Sequence, residues 1–371
     1  MAMLFGKNLS KAEILKRVGD MTQIAGARSF EFNDGPARGV RAIEVYTGSG
    51  FRFTIVPDRG MDISHADHNG RSLCWHSGSS EANPGLYQPE GLEWLYNFYG
   101  GLVVTCGLTY YGAPCVDQGE ALGLHGRVSN IPAREVGVFT GWDGNEYFIS
   151  VRGKVMETRL FGAHLCMERV ITTWAGLDSL CIHDEVTNVG HTPCPHMMLY
   201  HCNFGYPVVS DTSVLCAPSL VVTPRDETAE DGKTEYAAFH TPVKGYAEKV
   251  YYHNLAAKRG ATLAGILNKD TGFGAYLRFN LNQLSRMIEW KQMGEGEYVV
   301  GLEPCTNRVE GRDIDRSLKT LRFLKPGETV TYDVEIGALP DAESLTAFEK
   351  EVRSLTQGRK PAYAVNPQPP R

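Results

Sequence analysis

Ser179-Leu180-Cys181-Ile182-His183-Asp184-Glu185-Val186-Thr187-Asn188 alternates without a break. Leu180, Ile182, Asp184 and Val186 fall on one face, and Cys181, His183, Glu185 and Thr187 on the other, which is the period of a strand with one buried side. Turn pairs flank it, Ala175-Gly176 before and Val189-Gly190 after. Connections that short require antiparallel neighbours. The same grammar runs outward through 133–138, 146–155, 164–174 and 196–204, with Asp143-Gly144 as a further turn.

Upstream, 28–32, 40–46 and 51–56 are short and rich in β-branched and aromatic residues, divided by Asp34-Gly35-Pro36 and Gly48-Ser49-Gly50. That pattern predicts a meander. Downstream, strands are predicted over 249–253, 262–268, 273–279, 285–290, 298–302, 320–324 and 329–337. Helices are few: 8–20, with Ser10 and Glu13 placed as a capping box, a short one from Pro89 to about Tyr99 with Leu92, Leu95, Tyr96 and Tyr99 on one face, and 342–352. The polar stretch 223–237 reads as an excursion loop. No composition shift divides the chain. The expectation is an all-β protein: a helical extension over 1–24, one β-sandwich domain of antiparallel sheets over 25–355, and a Pro-rich, extended or disordered tail over 356–371.

Composition narrows the function. Of 371 residues, 22% are charged and the net charge is −6, with lysines and arginines scattered. A nucleic-acid partner would need a basic footprint, so none is expected. No apolar run approaches a membrane span, and the N-terminus lacks the layout of a secretory signal. A cytoplasmic protein with no membrane partner is the expectation. The nine cysteines include no Cys-x-x-Cys pair, which predicts reduced thiols and gives no support to a zinc ribbon.

Three polar residues stand where regular structure breaks. His201 lies in Leu199-Tyr200-His201-Cys202-Asn203-Phe204-Gly205-Tyr206-Pro207, at a strand end beside a turn. His125 lies in Gly123-Leu124-His125-Gly126, where flanking glycines let backbone approach a ligand. Glu303 lies in Gly301-Leu302-Glu303-Pro304. Each has an ordinary structural reading, as a hydrogen-bonded core histidine, a turn histidine or a solvated strand end. Together, imidazole and carboxylate can move a proton on and off a polyhydroxylated ligand. Arg59, in Asp58-Arg59-Gly60-Met61-Asp62, either is held by its neighbouring aspartates or presents its fork to a ligand. Trp290 and Lys291, on the strand before Glu303, are candidates for an aromatic platform and a hydroxyl donor.

These motifs, in this order and spacing, resemble those of the aldose 1-epimerases, the galactose mutarotase-like superfamily, over roughly residues 28–338. Asn203-Phe204-Gly205-Tyr206-Pro207 and Glu303-Pro304-Cys305-Thr306-Asn307 are similar to a branch apart from its familiar enzymes. The resemblance implies a β-supersandwich with a sugar site in its concave face. It implies His201 as the acid that protonates the ring oxygen, Glu303 as an ionised base at the anomeric hydroxyl, and His125 as support for the ring-oxygen side. Arg59, Asn203, Trp290 and Lys291 would contact substrate. The hydroxyl-gripping aspartate of the superfamily has only Asp211 and Asp226 as candidates, in different contexts. The implied partner is a small-molecule sugar, with no metal and no organic cofactor, and a homodimer is allowed for. The same site would also serve another sugar isomerisation, epimerisation or elimination, or simply carbohydrate binding, and His125, His201 and Glu303 are legitimate metal ligands.

Overall fold

The alternation of Ser179–Asn188 is realised in space. Leu180, Ile182, Asp184 and Val186 are all buried to 1% exposure or less, while Glu185 on the other face is exposed. A computed structural model describes residues 2–366. In it this strand lies at the centre of an eight-stranded sheet, between His164–Trp174 and Thr329–Leu339. We term this the back sheet; it begins at Arg134–Asp143 and ends at Ser213–Cys216. Its inner face packs against a second eight-stranded sheet, the site sheet. There Val104–Leu108, Cys194–Phe204, Glu297–Cys305, Arg286–Gly294, Lys249–Leu255 and Ser219–Pro224 follow one another antiparallel. A five-stranded meander, Gly26–Glu31 through Arg71–Ser72, adds a third layer of strands. The architecture is the all-β sandwich of antiparallel sheets that the alternation predicts.

The two faces of Cys194–Phe204 divide the molecule's work. Met198, Tyr200, Cys202 and Phe204 enter the main core, whereas Met197 and Leu199 join a second apolar cluster with Trp94, Phe98 and Ile288. His201 and Asn203 have that same odd parity and therefore face the second cluster.

A buried polar junction binds the three sheets. Arg169 of the back sheet bridges Asp184 at 2.7 Å and Asp62 of the meander at 3.0 Å, all three side chains being inaccessible. Tyr200 of the site sheet donates to the same Asp184, and Thr105 to Asp62. Burying a guanidinium is tolerable here because both charges it neutralises are hydrogen-bonded around it.

Local expectations fare unevenly. Ser10 does cap a helix, Lys11–Leu15, with Glu13 completing the box, but the extension also carries a hairpin of Ala2–Leu4 and Lys7–Leu9. The C-terminal helix is Ala342–Thr356, opened by Asp341. Between Pro89 and Tyr99 only a 3-10 turn forms, Glu93–Asn97. The reason is which side chains are buried: Trp94 and Phe98 go in, while Leu92, Leu95 and Tyr96 stay exposed. The stretch 223–237 holds two single turns, Glu227–Glu230 and Lys233–Glu235. Ala362–Tyr363 adds a parallel strand beside Ser219–Pro224, so the start of the tail is extended; its prolines beyond Asn366 lie outside the described residues.

Candidate active site

Strand pairing and parity bring the candidates together. Glu297–Cys305 lies beside Cys194–Phe204, and Glu303 projects on the same side as His201. His201 Nε2 stands 3.1 Å from Glu303 Oε1, with both side chains buried. His125 arrives from a loop rather than a strand. It adopts φ 57°, and Gly126 follows at φ 76°. A Cβ on Gly123 would meet the Pro89 carbonyl at 1.9 Å, and one on Gly126 the Tyr110 carbonyl at 2.2 Å, so only glycine passes at either position. The loop thereby sets the His125 ring edge-on to His201, with centroids 5.6 Å apart.

The walls are aromatic. Phe98 and Trp290 lie with ring centroids 5.2 and 5.3 Å from that of His201, Trp94 stacks on Phe98 at 4.6 Å, and Trp75 closes the row 6.2 Å from Trp290. The floor is a glycine. A Cβ on Gly301 would stand 2.7 Å from Glu303 Oε1, 3.2 Å from Trp290 Cβ and 3.3 Å from His201 Cε1. The absence of a side chain there lets Glu303, Trp290 and His201 close around one point. Two buried atoms of these residues, His125 Nδ1 and Glu303 Oε1, have no hydrogen-bond partner among the described residues, and His201 interacts with the Asn203 side chain beside it. Of these, Glu303 Oε1 stands 3.1 Å from His201 Nε2. Buried polar groups are rarely left unpartnered, and a pair of them is what an oxygen-rich ligand would satisfy.

Burial sets the protonation. It pushes the Glu303 carboxyl up to about 8, with the nearby Glu248 carboxylate adding to the rise and Arg225 opposing it. It pulls His201 down to about 4, and His125 also goes down, through burial first and His201 second. Both shifts favour the uncharged forms, a carboxylic acid beside a neutral imidazole. An aromatic enclosure disfavours charge on either group.

Two expected ligand contacts lie elsewhere. Lys291 adjoins Trp290 in one strand, so the two side chains leave opposite faces. Lys291 Nζ donates to the Glu235 and Ala238 carbonyls behind the sheet and lies over Phe239. Arg59 is 1% exposed and its fork is filled by the carbonyls of Ser129, Ala82 and Asn97, at 2.8, 2.9 and 2.8 Å. Nor is it tied by its flanking aspartates, since Asp58 binds Arg41 and Asp62 binds Arg169. Arg59 is a clamp that fastens the aromatic loop to the meander. Asn203 does lie against the basin, held by its own amide on the Gly100 and His201 carbonyls. Asp226 caps Glu227–Glu230 and pairs with Arg225, while Asp211 lies exposed.

No motif singles out Trp75, Trp94, Phe98, Arg225 or Glu248. Glu248 accepts from Trp290 Nε1 at 2.7 Å and pairs with Arg225 at 3.0 Å, forming a charged rim over the aromatic wall. The one available signal was the density of aromatics over 94–99, which the apolar helix reading misassigned.

A family model described as "Domain of unknown function (DUF4432)" matches residues 37–338. No curated protein sequence matches the chain. Among solved structures, a Klebsiella pneumoniae protein titled a "putative aldose 1-epimerase" is 27% identical, with 92% of this chain and 90% of that one covered at a TM-score of 0.87. A galactose mutarotase-like protein from Clostridium acetobutylicum is 12% identical, with 85% and 99% covered at 0.61. Galactose 1-epimerase from Lactobacillus acidophilus is 11% identical, with 85% and 98% covered at 0.55. At these identities the latter two speak to the fold alone.

Proposed function

The chain belongs to the DUF4432 family, a branch of the aldose 1-epimerase, galactose mutarotase-like superfamily, and from that premise we propose that it interconverts the anomers of a free monosaccharide or close derivative. The observation that carries this reading is the His201–Glu303 pair, 3.1 Å apart on the floor of an aromatic basin. Anomerisation needs one group to take the proton of the anomeric hydroxyl while another protonates the ring oxygen. A buried pair sharing a single proton supplies both roles.

The cycle begins with that proton on Glu303, whose carboxyl burial raises. Glu303 then donates and His201 accepts, the ring opens to the aldehyde, the C1–C2 bond rotates, and reclosure on the other face returns the proton. A hop between the two groups exchanges the roles and yields the imidazolium acid and carboxylate base that the superfamily resemblance implies. Either way the pair ends as it began, with no net proton or electron transferred. His125 borders the ring-oxygen side, Trp290 and Phe98 offer faces to the sugar's C–H surface, and Asn203 and Glu248 are placed for its hydroxyls.

Saturation-transfer NMR over a panel of aldoses tests the proposal directly. The expected result is accelerated anomer exchange for at least one sugar, reduced roughly a hundred- to ten-thousand-fold in Glu303→Gln and in His201→Ala. No acceleration over the whole panel would overturn it. Products altered in constitution or at another carbon would shift the reading to a different sugar isomerisation or an elimination at the same site.

A further inference from the structure

Behind the aromatic wall lies a second cluster that the proposed chemistry does not use. His65 belongs to the meander strand Asp62–His68, which returns through the Asn69-Gly70 turn so that Leu73 hydrogen-bonds back to Ala66. Cys74 and His76, two apart, therefore reach the same face of the returning segment and meet His65. His65 Nδ1 is 3.3 Å from His76 Nε2, which is 3.5 Å from Cys74 Sγ, and all three donor atoms lie within 4.8 Å of one another.

We propose that His65, Cys74 and His76 form a zinc site, with Cys74 bound as the thiolate and a fourth position open to solvent. Ligand bonds of about 2.0–2.1 Å for nitrogen and about 2.3 Å for sulfur in a tetrahedron put nitrogens about 3.3 Å apart and nitrogen about 3.5 Å from sulfur. The two short separations match those edges. Two imidazoles and a thiolate also suit this borderline-soft cation better than an oxygen-seeking one. As the Zn–S bond forms, the thiol proton leaves to solvent.

The surroundings fit a metal site in two further respects. The other nitrogen of His65, Nε2, lies 3.3 Å from Asp67 Oδ2, and the Gly70 amide holds that carboxylate at 2.8 Å. A carboxylate behind a histidine fixes its tautomer and directs the free nitrogen to the metal. The Ala66 amide points at Cys74 Sγ from 3.3 Å, where it would stabilise a thiolate. Access is available, because His76 is exposed and the His65 side chain is 42% exposed. Trp75, between the two C-terminal ligands, leaves the opposite face toward Phe98 and Trp290. Metal at this cluster would brace the wall of the basin from behind.

Titration of untagged full-length protein with Zn2+ by calorimetry, and with Co2+ by absorption spectroscopy, tests the site without recourse to activity. One ion per chain is expected, with a sulfur-to-cobalt charge-transfer band. Cys74→Ser should abolish the band, Asp67→Asn should weaken binding about 10- to 100-fold, and Glu303→Gln should leave both readouts unchanged. His76→Ala, at an exposed position, provides the same test if Cys74→Ser does not fold. Absence of stoichiometric binding, or binding indifferent to Cys74→Ser and His76→Ala, would show that the cluster is only a chain of hydrogen bonds. Loss of binding in Glu303→Gln would place the ion in the basin and overturn the proposal equally.

Discussion

At the scale of single residues, the pH response follows from His201 and Glu303. With Glu303 raised to about 8 and His201 lowered to about 4, the one-proton form of the pair spans the interval between. kcat/KM for anomer exchange should therefore hold across neutral pH, fall as Glu303 loses its proton near pH 8, and fall again as His201 gains one near pH 4. Stability carries the opposite imprint from each group. Glu303 keeps its proton when folded and loses it when unfolded above its ordinary 4.5, so its contribution declines as pH rises toward about 8. His201 is neutral when folded but charges when unfolded below 6.5, so its contribution declines as pH falls toward about 4. Thermal melts of Glu303→Gln against the parent should show a smaller loss between pH 5 and 8. An unchanged loss would remove Glu303 as its source. His201, His125 and Glu303 were legible in the sequence because each stands near Gly or Pro, although the strands carrying His201 and Glu303 run on past them to Phe204 and Cys305. Arg59 misled for the same reason: a fork beside a turn looks available until the carbonyls of three distant segments are seen to fill it.

At the scale of elements, the strand Glu297–Cys305 shapes the site as much by what it omits as by what it presents. Gly301→Ala would set a methyl 2.7 Å from Glu303 Oε1, the movable end of a side chain, and 3.2–3.3 Å from Trp290 and His201. The carboxyl can swing aside at little cost to the sheet. Activity should consequently fall steeply while the melting temperature changes little, a divergence that calorimetry and anomer-exchange kinetics on one preparation would reveal. Equal loss of both would mean the glycine serves packing alone. Alternation already implied that Trp290 and Lys291 could not share a face, so the misplacement of Lys291 was avoidable from the sequence. The 3-10 turn Glu93–Asn97 was not legible in the same way. Its buried face, Trp94 and Phe98, is chosen by a basin that distant segments build, and local apolar spacing pointed to Leu92, Leu95 and Tyr96 instead.

For the whole molecule, the junction of Arg169, Asp62, Asp184 and Tyr200 joins all three sheets. Arg169→Met would strand two buried carboxylates and should destabilise the protein by about 3–5 kcal/mol. Urea unfolding would register this as a lower midpoint at unchanged slope; a loss below about 1 kcal/mol would mean that the carboxylates simply take up protons. The all-β class could be read from alternation, since period-two patterning is a local signal. Strand order could not, because the neighbour of Cys194–Phe204 is Glu297–Cys305, about a hundred residues later. Asp184 was visible on the inner face of its strand, but nothing nearby in sequence revealed that Tyr200 and Arg169 would meet it. That meeting has a bearing on fidelity of assembly. Tyr200 engages the junction from one side of its strand and His201 looks into the basin from the other. A slip of one residue in pairing would turn the imidazole inward and leave Asp184 without its phenol. The core thus proofreads the register on which the basin depends, and a chain misaligned enough to lose its site would also forfeit its cohesion.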